Sequence, residues 1–324
     1  MKAAWLGICA ALLAGCAGLA SPAPKRIAAI VTEYRHNAHA DVIVGRLVES
    51  HTLDGKGEFP NLKLASLYTD QVPSDDTSRA LMKQHDIPIY DKIEDALTLG
   101  TGKLAVDGVL LVAEHGKYLK NETGNVIWPK RRMFEAITKV FRDSKASVPV
   151  FCDKHLADNW RDAKWFHQTA RELKVPLMAG SSLPVLWRKP PVDVERGSKL
   201  AQMVAISYHT LDAYGFHAIE MVQCLAERRA GGETGVRQVR CLADNAVWEA
   251  VDDGVIDEEL LRAAVVPLNL SPVKRLKKSL VELAKNPTAI IIDYRDGFRA
   301  SILTLNGAAN EWSVAWREGG GIKA

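Results

Sequence analysis

No single motif fixes the class of this chain. Its 324 residues hold five cysteines, and no CxxC pair or zinc-finger spacing occurs, which excludes a disulfide scaffold and a structural zinc module. Cys9 and Cys16 fall near the start, leaving Cys152, Cys224 and Cys241. An odd number cannot pair completely, and a disulfide between Cys224 and Cys241 stays open. No apolar run is long enough to span a bilayer. A net charge of +3 with one dense basic run, Lys130-Arg131-Arg132, gives no clustered cationic face for nucleic acid. That run reads as the solvated first turn of a helix carrying Phe134, Ile137 and Phe141. Internal repeats and low-complexity tracts are absent. The segment from Val31 to Ala40, where a first strand meets a first helix, contains no glycine. Side chains therefore stand where a dinucleotide pyrophosphate needs bare backbone.

The N-terminus is a targeting segment. Met1-Lys2 is a minimal basic start, Ala3 to Leu12 is mostly apolar, and Leu13-Ala14-Gly15-Cys16 resembles a bacterial lipoprotein signal. That pattern implies cleavage before Cys16 and lipidation of the cysteine, with Ser21-Pro22-Ala23-Pro24 as part of a tether. Residues 1–25 are then signal and tether. The expected location is the periplasmic side of a membrane, the outer one more than the inner because Ala17 follows the cysteine. An ordinary cleaved signal is the alternative; either exports the protein.

From Arg26 strands and helices alternate. Strand patterns cover Ile27 to Val31, Leu62 to Tyr68, Val106 to Ala113 and Val148 to Cys152, with helices at Ala40 to Val48, Ser78 to Gln84, Lys92 to Leu97 and around Met133 to Phe141. Such alternation predicts a Rossmann-like, doubly wound parallel sheet over residues 26–186. Residues 187–324 predict an α+β domain with a largely antiparallel open sheet. Its strands run Gln202 to Tyr208, Val236 to Leu242, Ala289 to Tyr294, Phe298 to Leu305 and Trp312 to Trp316, and a long helix covers Leu211 to Arg228. Arg295-Asp296-Gly297 predicts a hairpin turn.

The most informative stretch is Val148 to Pro184. A strand without polar side chains stops at Asp153-Lys154-His155, a helix follows, and a second strand closes at Met178-Ala179-Gly180. In open α/β sheets the ligand crevice lies beyond the carboxyl ends of the strands, which places these three ionisable residues at its mouth. The polar stretch Lys117 to Pro129 predicts a loop over the same crevice, with Trp128 suited to stacking on a sugar ring.

These residues resemble the Gfo/Idh/MocA family, which includes glucose–fructose oxidoreductase and inositol dehydrogenase. Cys152-Asp153-Lys154-His155-Leu156-Ala157 is similar to the family's Cys-Glu-Lys-Pro-Leu-Ala, Val106 to Ala113 to the strand before its nicotinamide-side loop, and Gly215-Phe216-His217-Ala218-Ile219-Glu220 to its Gly-x-His-x-x-Asp segment. The resemblance covers roughly Arg26 to Leu225. It implies a homo-oligomeric oxidoreductase acting on a carbohydrate or polyol with NAD or NADP. Lys154 and His217 would then be polariser and acid/base, with Glu220 beside His217 on one helical face. The cofactor would run along Thr32, Asp70, Glu114, His115 and Asp153, with Asp70 at the ribose.

Several positions depart from that pattern. The first turn lacks its glycines and carries Glu33 and Arg35; His155 replaces the family's proline, Ala113-Glu114 its Thr-Pro, and Ala213 its acidic residue. The signal has no Arg-Arg for export of a folded, cofactor-loaded protein. A second class is therefore an exported relative that does not use NAD(P), either binding a saccharide or acting as a metal-assisted lyase, hydrolase or isomerase. Its divalent metal would use His36, His39, His115 and His155, which the strand ends bring to one crevice.

Overall fold

The computed structural model describes residues 22–49, 52, 56, 59–268 and 279–324. The proposed signal and the lipidation site Cys16 lie outside the described residues. In the first domain, β1 (Lys25–Val31), β2 (Leu62–Thr69), β3 (Ile89–Tyr90), β4 (Gly108–Val112), β5 (Val150–Asp153) and β6 (Leu177–Gly180) form one sheet in the order β3-β2-β1-β4-β5-β6. Every pairing in it is parallel. The period of two along β1 explains the two-sided burial. Ala28 and Ile30 join one core cluster, while Ala29 and Val31 join another.

The first cluster packs under α3 (Ile93–Thr98), α4 (Lys130–Ser144) and α5 (Trp160–Glu172); the second packs under α1 (His39–Val44) and α2 (Ser78–Gln84). Phe134 of α4 stacks on Phe166 of α5 at 3.6 Å between ring centroids, fixing how these helices cover the sheet. This is the doubly wound arrangement that the alternating pattern predicts. The strand order reverses between β1 and β4, so the crevice opens at the carboxyl ends of these two strands.

The second sheet has the order β12-β11-β7-β10-β9-β8, from β7 (Gln202–Ser207), β8 (Val236–Ala243), β9 (Thr288–Tyr294), β10 (Arg299–Thr304), β11 (Ser313–Glu318) and β12 (Gly321–Lys323). All its pairings are antiparallel except β7 with β10. Gly297 has φ +89° in the β9–β10 turn, the positive value that the Asp-Gly pair predicts. Helix α6 (Phe216–Ala226) covers one face; α7 (Asn245–Asp252) and α8 (Glu258–Val265), which periodicity did not mark, cover the other.

The long helix expected from Leu211 is divided. Leu211–Gly215 is a π-helical turn started by the Thr210 hydroxyl, which accepts from the Ala213 amide. Cys152, Cys224 and Cys241 are all free thiols, so the open Cys224–Cys241 pairing does not form. Among the described residues no helix is long and apolar enough to cross a membrane.

Candidate functional site

The centre of the site is a lysine whose place in a basic run assigns it to solvent. Lys130 is fully buried, and its ammonium donates to Glu114 Oε1 at 2.6 Å, the Asp153 carbonyl at 2.8 Å and the His155 carbonyl at 2.9 Å. Three acceptors use all three of its protons, which makes its burial tolerable. The expectation of a solvated basic turn is corrected for Lys130, while Arg131 stays half-buried and Arg132 exposed, both with partners. Arg131 lies 3.5 Å over the Trp165 ring, and Arg132 Nη2 lies 2.8 and 2.7 Å from the two oxygens of Asp70. The signal for Lys130 was available: it precedes Phe134, Ile137 and Phe141 by four, seven and eleven residues, on the stripe that α4 buries.

Lys130 holds the Asp153-Lys154-His155 turn by two carbonyls. Lys154 itself has φ +61°, a conformation costing roughly 1–2 kcal/mol for a residue with a Cβ. Its amide donates to the Gly180 carbonyl at 3.1 Å, and its ammonium lies 3.3 Å from Glu114 Oε2. Burial alone would raise the Glu114 carboxyl; Lys130 and Lys154 outweigh it and hold the group below the usual range.

The other wall comes from the second domain through Ser181, which sequence reading did not single out. The Ser181 hydroxyl is 2.5 Å from His217 Nδ1, and its amide donates to Glu220 Oε2 at 3.3 Å. Because Gly180 accepts from Lys154, and Ser181 pairs with His217 and donates to Glu220, one strand end gathers all three expected residues. Burial first, then the charges of Lys154 and His39, push the His217 imidazole down to about 4. It is therefore neutral near pH 7 and able to accept a proton. Tyr214 stacks on Trp312 at 5.3 Å and meets His217 edge-on at 6.1 Å, forming an aromatic wall for which the sequence carries no local signal. A cavity of about 350 Å³, lined in part by Trp128, His155, Asp212 and Phe216, opens between the domains. The crossing segment is tied there by Asn125 donating to Asp212 at 2.6 Å.

The expected cofactor residues are engaged by other groups of the chain. Thr32 donates to the Glu114 carbonyl at 2.6 Å. Asp70 accepts from Tyr68 at 2.7 Å, from Tyr118 at 2.8 Å and from Arg132, so both its oxygens are filled. His39 Nδ1 sits 2.6 Å from Asp153 Oδ2, and its ring meets His115 edge-on at 5.0 Å.

The expected histidine metal site is corrected. His36 is largely exposed and its nearest acid is Asp41 at 3.7 Å, His39 is spent on Asp153, and His155 packs near Phe216 at 5.5 Å with Nδ1 buried and unpartnered. Among the described residues no three His, Cys, Asp or Glu side chains are placed to hold a metal ion.

No family model and no curated protein sequence matches the chain. Solved structures do. Myo-inositol 2-dehydrogenase from Lactobacillus plantarum aligns with 93% of this chain and 76% of its own, at TM-score 0.51 and 11% identity. GenD2 from gentamicin A biosynthesis, in complex with NAD, aligns over 92% and 71% at TM-score 0.53 and 13% identity. Scyllo-inositol dehydrogenase from Lactobacillus casei, with NAD(H) and scyllo-inositol, aligns over 93% and 75% at TM-score 0.51 and 10% identity. The chain has the Gfo/Idh/MocA fold.

That fold implies a dinucleotide at the β1–β4 crevice, and the groups present there do not fit one. Three amides next to α1 are already used: Asn37 donates to Asp41 Oδ2 at 2.8 Å, Ala38 to the Arg35 carbonyl at 2.9 Å and His39 to His115 Nδ1 at 3.5 Å. Glu33 and Asp41 put two carboxylates beside the position of a pyrophosphate, with Arg35 paired to Glu33 at 2.6 Å. Helix α1 has only six residues, and the His39 and His115 rings occupy the crevice itself.

Proposed function

We propose that this Gfo/Idh/MocA-fold protein takes a sugar or polyol in the cleft between its domains and acts on it with Lys154 and His217, without a dinucleotide. The observation that carries this reading is the Gly180-Ser181 strand end, which ties Lys154 of one domain to His217 and Glu220 of the other. A strained lysine with an anchored ammonium, a neutral histidine and a carboxylate give hydrogen-bonding partners of both kinds for a polyhydroxylated ring. Lys154 polarises one oxygen, His217 exchanges its proton, and Glu220 orients the neighbouring hydroxyl. The scyllo-inositol held by one structural neighbour supports the ligand class.

A nicotinamide-dependent oxidation of the same ligand is the second reading. NAD in GenD2 and NAD(H) in the scyllo-inositol enzyme favour it; the occupied turn opposes it. Isothermal titration with inositols, hexoses and uronic acids, each with and without NAD or NADP, tests both. The expected result is binding of at least one ligand that needs no dinucleotide and weakens at least about tenfold, or 1.4 kcal/mol, in Lys154→Met and His217→Asn. Wild-type affinity in both variants overturns the proposal, and micromolar NAD binding restores the second reading.

The N-terminal sequence supports export and tethering through Cys16, which we include in the proposal. Labelled palmitate should enter the protein and be lost in Cys16→Ser. The proposal also takes the protein to be a homo-oligomer, which light scattering would check.

A further inference from the structure

Resting on the ligand site just proposed, we infer that His39, held by Asp153, is a general base in the same cleft, and that the reaction is a redox-neutral proton transfer at a carbon next to a carbonyl. His39 Nδ1 lies 2.6 Å from Asp153 Oδ2, and Asp153 is only 6% exposed. A carboxylate at Nδ1 fixes the tautomer: Nδ1 carries the proton and Nε2 the free lone pair. The His39 side chain is 31% exposed, so the ring keeps an open edge, while His115 meets it edge-on at 5.0 Å and holds its plane.

Lys154 follows Asp153 directly, and its ammonium is fixed 3.3 Å from Glu114 with 16% of the side chain exposed. Carboxylate, base and ammonium therefore come from one strand end and the helix start facing it. Asp153 and Lys154 are consecutive, so the His39 dyad and the Lys154 ammonium share one turn. The dyad occupies the crevice that its fold reserves for an electron acceptor.

The chemistry balances without an oxidant. His39 Nε2 takes the proton from the carbon beside a ligand carbonyl. The C–H electron pair becomes the C=C bond of an enediolate, and the carbonyl π pair moves to oxygen beside the Lys154 ammonium. The imidazolium then returns its proton to the same carbon, giving exchange, or delivers it to a hydroxyl on the next carbon, which leaves as water while the oxygen pair re-forms the carbonyl and the C=C pair forms the new double bond to that carbon.

The test uses 2-keto-myo-inositol, L-sorbose and D-fructose in deuterium oxide, with binding and α-carbon exchange followed by NMR on the same samples. Wild-type protein should bind at least one probe and exchange its α-proton above the protein-free rate. His39→Gln should lower exchange about 100-fold or more, the usual weight of a general base, with affinity within about threefold. Asp153→Asn should also slow exchange and remove the downfield imidazole N–H resonance of the dyad, a signature that loss of packing alone does not give. Exposed His167 on α5, changed in His167→Gln, is the control and should behave as wild type. Binding without exchange overturns the inference and leaves the ligand site standing. Unchanged exchange per bound probe in His39→Gln overturns it too and reduces the dyad to packing. No binding of any probe overturns the inference, and the ligand site falls with it only when the titration with inositols, hexoses and uronic acids also shows no binding.

Discussion

Replacing Lys130 by methionine distinguishes a keystone from a surface charge. The substitution keeps the length and apolar stem of the side chain but removes an ammonium with three acceptors. Glu114, 4% exposed, then keeps only the longer Lys154 contact, and the carbonyls of Asp153 and His155 lose their donor. Breaking one side of a buried pair costs about 3–5 kcal/mol, whereas a solvated helix position shifts stability by less than about 0.5 kcal/mol. Urea unfolding at neutral pH, read as a fall in midpoint at constant slope, measures the difference. Glu114→Gln in the same background should recover at least about 1 kcal/mol, because the uncompensated carboxylate is gone. A loss below about 1 kcal/mol in Lys130→Met, or no recovery in the double variant, refutes the reasoning.

Three further outcomes follow from the same geometry. Burial pushes His155 from 6.5 down to about 4, so the unfolded chain binds the extra proton between these values; stability from this group is complete above about pH 6.5 and falls by about 3 kcal/mol as pH drops from there through 4. His155→Phe should flatten that slope in urea titrations from pH 7.5 to 4.5. Lys154→Gly relieves the φ of +61° and should keep or raise the unfolding free energy in urea, by up to about 1 kcal/mol, while ligand binding is lost. Tyr118→Phe removes one of the donors that fill Asp70 and should speed proteolytic cleavage between residues 117 and 129.

What the sequence made legible follows from range. Period-two and period-3.6 patterns report burial within one element, so β1, β2, α2, the β9–β10 hairpin and the division into a parallel and a mainly antiparallel sheet were readable. Two-residue β3 and exposed, three-residue β12 carry too short a pattern. Lys154 was legible as a charged residue at the end of an apolar strand, whereas His217 and Glu220 entered only through the resemblance of Gly215 to Glu220 to a family segment. Arg132 on Asp70 is 62 residues distant and Tyr118 on Asp70 is 48, and Tyr214 on Trp312 is a similar case; no local pattern encodes such meetings. Lys130 was missed for another reason: its charge was weighed above its place on an apolar stripe.

The side chains that fill the β1–β4 crevice have a consequence for where this chain can become native. A domain whose central crevice awaits a cofactor reaches its final stability only after the small molecule arrives, and its folding yield follows supply. Here His39, His115, Asp153 and the Asp41 carboxylate complete the crevice from within. On the proposed reading without a dinucleotide, the native state waits on no cofactor supply, which is what the proposed export of an unfolded chain requires.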